Sequence, residues 1–382
     1  MCYAYKEEWG NNRMKKVFLA LLSVFICLAF SGCGKLKLKP VQFEKISAKS
    51  GFITVEATPK YELMSILCHV AGYEDASADN ELAKFVDIWF DEYRTHKAVK
   101  LMTEYRAKYG MNLDTAFSLL LCVADDLSCY TENLKEKPYF VDESWFSIDT
   151  DKFLKAFNSF AEETKFSKFY LLYQDYYKKA VLSITNVLDR GSVCAWLEDF
   201  YFRGQTQDVI IHTSESLCGN NLWYSAAKQD GTTYVNCIPP IYEKQNEYHL
   251  AYRIAQNFIN SKIDLIWSLN GDFLSGMIDN IKQMRGEEPA NLSQKYSFVI
   301  ADLLQFDLCD FVRRFNSEEI YQIYVESLKQ IASEELLAKF ENIVNDYVLN
   351  KDKYPTYQSF VQAETNWLFE LYASMTWGSA FK

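Results

Sequence analysis

Histidine is scarce in this chain of 382 residues: His69, His96, His212 and His249 are all there are, and no two lie four apart. A zinc peptidase of the His-Glu-x-x-His kind needs two imidazoles one helical turn apart, so that both reach one ion from the same face. Simple enumeration excludes such a helix anywhere in the sequence. Cysteine offers no substitute, because no C-x-x-C pair occurs and the seven cysteines after Cys33 are an odd number, against both a zinc knuckle and a complete disulfide framework. Most of them read as small buried hydrophobes; Cys218 and Cys237, which flank a candidate hairpin, are the pair to test for a bridge. A glycine-rich phosphate loop, a dinucleotide fingerprint and a Gly-x-Ser-x-Gly elbow are also missing, and Ser214, Ser216 and Ser225 have no histidine and acid at recognisable spacing. Positive charge is in deficit. A formal net charge of -11 gives no footprint for nucleic acid or for peripheral binding to anionic lipid.

What is present is apolar and aromatic. Hydrophobic residues make up 49% of the chain and aromatics 16%, enough for one large core or two moderate ones, and disorder is not expected. The 26 Tyr, 27 Phe and 8 Trp read as core, although the run Tyr170 to Tyr177 places rings around most of a helix and would leave some exposed.

The N-terminal region predicts a lipoprotein signal. Basic residues Arg13, Lys15 and Lys16 precede an apolar run from Val17 to Phe30, the length of a signal-peptide core and too short to span a bilayer as a helix. Phe30-Ser31-Gly32-Cys33 then resembles the lipobox of bacterial lipoproteins. That resemblance implies diacylation of Cys33, cleavage before it, and attachment to the membrane through several acyl chains. Met14 opens a normal signal, so residues 1–13 read as an over-extended start. Gly34 is not the Asp that retains some lipoproteins at the inner membrane, which favours the outer one. Lys35 to Pro40 reads as a polar tether.

Periodicity predicts a mainly helical α+β protein. Phe43 to Thr58 suits one or two short strands, with Pro59 placed to open a helix over 61–71. Further helices are expected over 80–92, with Leu82, Phe85, Val86, Ile88 and Trp89 inward, and over 98–109 and 114–126. Four or five more are expected between 148 and 200, then others over 301–315, 318–335, 337–349 and 356–377. Asp208 to His212 and Thr232 to Ile238 are the best strand candidates, read as a ribbon through Gly219-Asn220-Asn221 and Asp230-Gly231. Ile241 to Asn260 follows as an amphipathic helix with Ala251, Ile254, Ala255, Phe258 and Ile259 inward. The expected segments are 1–33 signal, 34–58 tether and strands, 59–205 helical lobe, 206–360 second lobe and 361–382 C-terminal helix.

Several runs resemble an uncharacterised bacterial family, a domain-of-unknown-function group of lipoproteins that carry a His-Glu-x-x-His helix and are taken for zincin-like metallopeptidases. They are Pro59-Lys60-Tyr61-Glu62-Leu63-Met64-Ser65-Ile66, Gly72-Tyr73, His96-Lys97-Ala98-Val99-Lys100-Leu101 and Tyr354-Pro355-Thr356 with Ser359-Phe360, in the family's order. The resemblance implies a zincin-like domain with a small β-ribbon or sheet beside its metal helix. Matching Phe258-Ile259-Asn260 to the family's pattern puts Tyr252 and Gln256 at the two ligand positions and Arg253 at the general base. A phenol and an amide hold zinc poorly, and Arg253 adds a permanent cation where a dication would sit. A third ligand would fall near Asp307 or Asp310. No catalytic residue, metal or cofactor is therefore expected.

Two readings of this site stay open. Either a cleft persists and Tyr252, Arg253 and Gln256 offer donors to a peptide or carboxylate, or it has closed and they face solvent and neighbouring helices, which is preferred. The function expected is a lipid-anchored envelope protein, a pseudoenzyme serving as a binding or scaffolding module for a peptide or protein ligand. The alternative is an active metallohydrolase with a rearranged site, for which His212, His249 and Glu247 or Glu243 are the candidates. A third is a structural lipoprotein without a ligand. His96, Asp125-Asp126 and Glu162-Glu163 read as structural or solvated.

Overall fold

The structure is a computed structural model and describes residues 45–378 apart from 77–79, 126, 128–131, 136, 138–140, 205–207, 218–223, 228–232, 238–239, 241–246 and 330–331. The signal segment, Cys33, Glu243 and Cys218 lie outside the described residues, as does the side chain of Cys237. The architecture is mainly helical with one small mixed sheet. No described helix is long and apolar enough to cross a membrane.

Five strands build that sheet: β1 (Ile46–Ser50), β2 (Ile53–Ala57), β3 (Asp208–His212), β4 (Tyr224–Ala227) and β5 (Thr233–Cys237), in the order β1-β2-β3-β5-β4. Gly51, at φ +57°, makes the tight turn that pairs β1 with β2 antiparallel, Ile46 opposite Ala57. β2 and β3 run parallel, as do β3 and β5, while β4 returns antiparallel on the edge. The expected ribbon of 208–212 with 232–238 is thus corrected. The two strands are neighbours but parallel, and the hairpin is made by β4 and β5. DVIIH carries the near-continuous apolar run of an interior parallel strand; Val209 and Ile211 on one face are fully buried and Ile210 on the other is half-buried.

Parallel neighbours need a crossover, and the one from β2 to β3 contains the whole first helical mass. Besides a single turn at Glu132–Lys135, it comprises α1 (Pro59–Val70), α2 (Glu81–Phe90), α3 (Lys97–Tyr109), α4 (Leu113–Leu120), α5 (Thr150–Glu163), α6 (Phe166–Leu172), α7 (Gln174–Leu188) and α8 (Ser192–Leu197). A π-helical turn, Glu198–Phe202, continues α8. The sheet therefore draws strands from both the 34–58 and the 206–360 segments. After β5 come α9 (Glu247–Met284), α10 (Leu292–Phe315), α11 (Glu318–Leu328), α12 (Glu334–Leu349) and α13 (Tyr357–Gly378).

Local signals explain most boundaries. Pro59 occupies the first turn of α1, where its missing N–H costs nothing, and Asn80, Asn112, Asp149, Ser317 and Ser333 cap α2, α4, α5, α11 and α12 through side-chain oxygens. Gly110, at φ +67°, closes α3. The inward face of α2 differs from expectation: Leu82, Ala83, Val86 and Phe90 are buried, whereas Ile88 is 78% exposed. An i, i+4, i+8 stripe through Leu82, Val86 and Phe90 sets that face, and Phe85 and Trp89 flank it by ring contacts with Tyr173 and Phe169. Of α9, the sequence pattern showed only the N-terminal part; the helix runs on for 38 residues.

Aromatic contacts lock the later helices together. Trp367 of α13 is fully buried, donates from Nε1 to the Leu336 carbonyl at 2.7 Å and packs on Phe306 and Phe340. Trp367→Ala is expected to lower stability by about 3–5 kcal/mol, the usual cost of emptying an aromatic site in a core. Ile88→Ala should stay within about 0.5 kcal/mol, as surface substitutions do. Urea denaturation of the two variants checks both values.

Candidate functional site

Ala251, Ile254, Ala255, Phe258 and Ile259 of α9 are all buried, as their spacing predicts. Tyr252, Arg253 and Gln256, which the resemblance sets at the metal positions, lie on another face of the same turns. Gln256 is 7% exposed, and its Oε1 has no hydrogen-bond partner among the described residues. Tyr252 and Arg253 are half-buried. The Arg253 guanidinium stands 5.9 Å from the Tyr252 ring centroid and interacts electrostatically with Asp114, in the first turn of α4. Burial lowers the Arg253 pKa, and the charges of Tyr252 and Asp114 oppose that shift.

Tyrosines complete this surface. The Tyr248 and Tyr252 rings are 6.5 Å apart, the Tyr248 and Tyr324 hydroxyls are 3.4 Å apart, and Tyr324 donates to the Gln305 carbonyl at 2.7 Å. Burial raises the pKa of all three phenols. Phenol, guanidinium and amide together form a hydrogen-bonding set suited to a carboxylate or a peptide carbonyl, and poorly suited to a divalent cation.

Asp307 and Asp310, where the resemblance places a third ligand, are held in the core by other donors. Tyr201 and Tyr357 donate their hydroxyls to Asp307, and Tyr201 stacks on Phe258 of α9 with ring centroids 4.9 Å apart. Asp310 accepts from Trp196 Nε1 at 3.2 Å and from Arg313 at 2.8 Å, with Arg314 at 3.4 Å. Burial raises the Asp310 pKa, and the two guanidinium groups work against it.

Of the candidates for a relocated metal site, His212 and Glu247 are engaged separately. His212, 6% exposed, stacks on Tyr61 with centroids 4.3 Å apart, and its Nδ1 lies 3.2 Å from Glu56 Oε1, itself 2.5 Å at Oε2 from Lys45. Glu247 accepts from Ser192 at 2.5 Å and from Arg190 at 3.2 Å, and His249 is exposed. Among the described residues no group of three or more His, Cys, Asp and Glu is placed to hold a metal ion. His96 caps α3 by accepting from the Ala98 N–H. A concavity of about 320 Å³, lined by Leu134, Lys137, Trp145, Phe146, Asp149 and Thr150 among others, takes no residue from α9.

Sequence reasoning missed the buried polar cluster where β2 and β3 end. Glu62, 1% exposed, accepts hydrogen bonds from the Ser214 and Ser216 hydroxyls, beside Thr58, Ser65 and Thr213, all buried. The signal was available: a glutamate amid the apolar Tyr61, Leu63 and Met64, and another in ITVEA, must find partners inside if those segments are buried.

Burial raises the Glu62 pKa above its ordinary 4.5, against the hydrogen bonds that lower it. The folded protein thus holds this proton more tightly than the unfolded chain, so the stability linked to it is full below 4.5 and is lost as pH rises through the higher folded value. Glu62→Gln, whose amide can still bond to both serines, should remove that part of the decline. Urea midpoints measured across mildly acidic and neutral pH test this, and an unchanged pH slope in the variant refutes it.

No family model, curated protein or solved structure matches this chain.

Proposed function

We propose that this chain is a lipid-anchored protein of the bacterial cell envelope whose zincin-like domain has given up metal chemistry and serves as a non-catalytic binding or scaffolding module. One observation carries the reading. At two positions one turn apart on the helix that follows the sheet, where zinc would need imidazoles, stand Tyr252 and the buried Gln256, with the Arg253 cation between them. The order of elements supports it as well: an antiparallel edge strand, β4, then β5, then the long helix α9, as the resembling family's arrangement implies. The lipobox-like Phe30-Ser31-Gly32-Cys33 supplies the anchor.

A binding role suits the half-buried donors. Arg253 and Tyr252 keep part of their surface in solvent on a rigid helix, where a peptide carboxylate could meet a guanidinium fork. Purified protein analysed by plasma mass spectrometry is expected to hold no stoichiometric zinc, and a casein or peptide library is expected to stay uncut with or without chelator. Stoichiometric zinc that disappears on replacing His212 or His249, together with chelator-sensitive cleavage, overturns the reading.

A further inference from the structure

Three large aliphatic side chains stand in solvent on two adjacent helices. Ile88 of α2 is 78% exposed, and Leu171 and Leu172 of α6 are 48% and 65% exposed. The helices are joined by stacking of Phe85 on Tyr173, centroids 4.8 Å apart, and by Trp89 against Phe169 at 5.4 Å. Half-buried aromatics neighbour these side chains in sequence: Phe85 and Trp89 on α2, and Tyr173 and Tyr176 directly after α6. Rings of this kind favour a boundary between water and hydrocarbon.

Exposed lysines stand one helical turn away, Lys84 before Ile88 and Lys168 before the two leucines, with Lys178 and Lys179 on α7. Such stems can lie along an apolar surface while the ammonium reaches the headgroups. Nearby carboxylates are mostly engaged. Asp87 meets His69 at 2.8 Å, Asp91 meets Arg94 at 2.8 Å, Asp175 meets Lys178 at 3.5 Å, and Glu81 accepts from the Tyr176 hydroxyl at 2.6 Å.

The patch also sits where the chain enters the fold. Ile46, the first residue of β1, pairs with Ala57, and the Ala57 carbonyl accepts from the hydroxyl of Tyr170 at 2.8 Å, the residue directly before Leu171. From Cys33 to Lys45 the chain can span at most about 40 Å even fully extended. An acylated Cys33 would hold the membrane within that reach of the end of the sheet beside α6. No described contact ties the other exposed isoleucines, Ile320 and Ile323 of α11, to that entry point.

We propose that Ile88, Leu171 and Leu172, framed by those rings and lysines, are the face on which the protein lies against the bilayer that anchors it. This rests on the acylation of Cys33 proposed above. The contact is apolar and not electrostatic, since the chain's net charge is -11. It would orient the domain by pressing α2 and α6 to the headgroups and leaving the opposite side free for a partner.

Full-length protein, purified from expressing bacteria and reconstituted in phosphatidylethanolamine and phosphatidylglycerol vesicles with a trace of diazirine-bearing phosphatidylcholine, tests this on illumination. Peptide mass mapping should find lipid adducts on the peptides spanning 84–92 and 166–179, little changed by salt. The surface variant Ile88→Asn, Leu171→Gln, Leu172→Gln should lose those adducts by about tenfold or more, the scale set by withdrawing one inserted aliphatic side chain. Intact mass reports separately on Cys33. Acylated protein labelled elsewhere, or equally in wild type and variant, overturns the docking face alone, whereas protein without acyl chains on Cys33 overturns the anchoring reading on which the face rests.

Discussion

A helix buried along nearly its whole length must find partners inside the protein for the charges it carries, and α1 carries two. Lys60 donates to the Val123 carbonyl at 2.8 Å and lies 3.4 Å from Asp125; Glu62 is met by Ser214 and Ser216 from the segment after β3. Neither partnership is local, and Glu62 and Ser214 are 152 positions apart. A buried charge left alone costs several kcal/mol, so these pairings couple the placement of α1 to that of β3 and of the loop after α4. The parallel pairing of β2 with β3 is the backbone counterpart of the same coupling, and the sheet cannot close until the long crossover has folded back on itself.

The fate of the α9 site follows from that arrangement. Because α4 belongs to the crossover, Asp114 in its first turn acts electrostatically on Arg253, so a helix of the crossover bears on the helix that follows the sheet. At the other side, α10 offers two carboxylates, but each is already engaged: Asp307 at Oδ2 by two phenols and Asp310 by an indole and two guanidinium groups. Carboxylates that accept from buried donors serve as structural anchors, and freeing one for a ligand would leave its donors unpaired in the core.

Different parts of this were legible to different degrees. Helix existence, the inward face of α9 and the capping residues are written in short-range periodicity, which 3.6-residue spacing reads directly. The absence of an imidazole pair needed no structure at all. By contrast, the parallel relation of β3 and β5 could not be read, because two short apolar runs joined through glycine turns look like a hairpin until a third strand, β4, claims the antiparallel place. Ile88 was misplaced for a related reason: a helix with apolar residues at 82, 85, 86, 88, 89 and 90 has more candidates than one face can bury, and the neighbours decide. Electrostatic interactions such as that of Asp114 with Arg253 join segments far apart in sequence and leave no local mark.

That distinction bears on what introducing metal ligands on α9 could achieve. Placing histidines at 252 and 256 would return the spacing of a zinc pair, but the surroundings are built for other groups. Tyr252 sits in a layer with Tyr248 and Tyr324, and Gln256 is almost wholly covered. An imidazole at 256 would enter a packed site, and the adjacent guanidinium would repel the ion it was meant to bind. Metal affinity depends on the partners that orient each ligand as much as on the ligand itself. The surroundings of positions 252 and 256 are set by the tyrosines of α9 and α11, by the charge of Asp114 on α4 and by the engaged carboxylates of α10, so a metal site here requires changes in several elements and not in α9 alone.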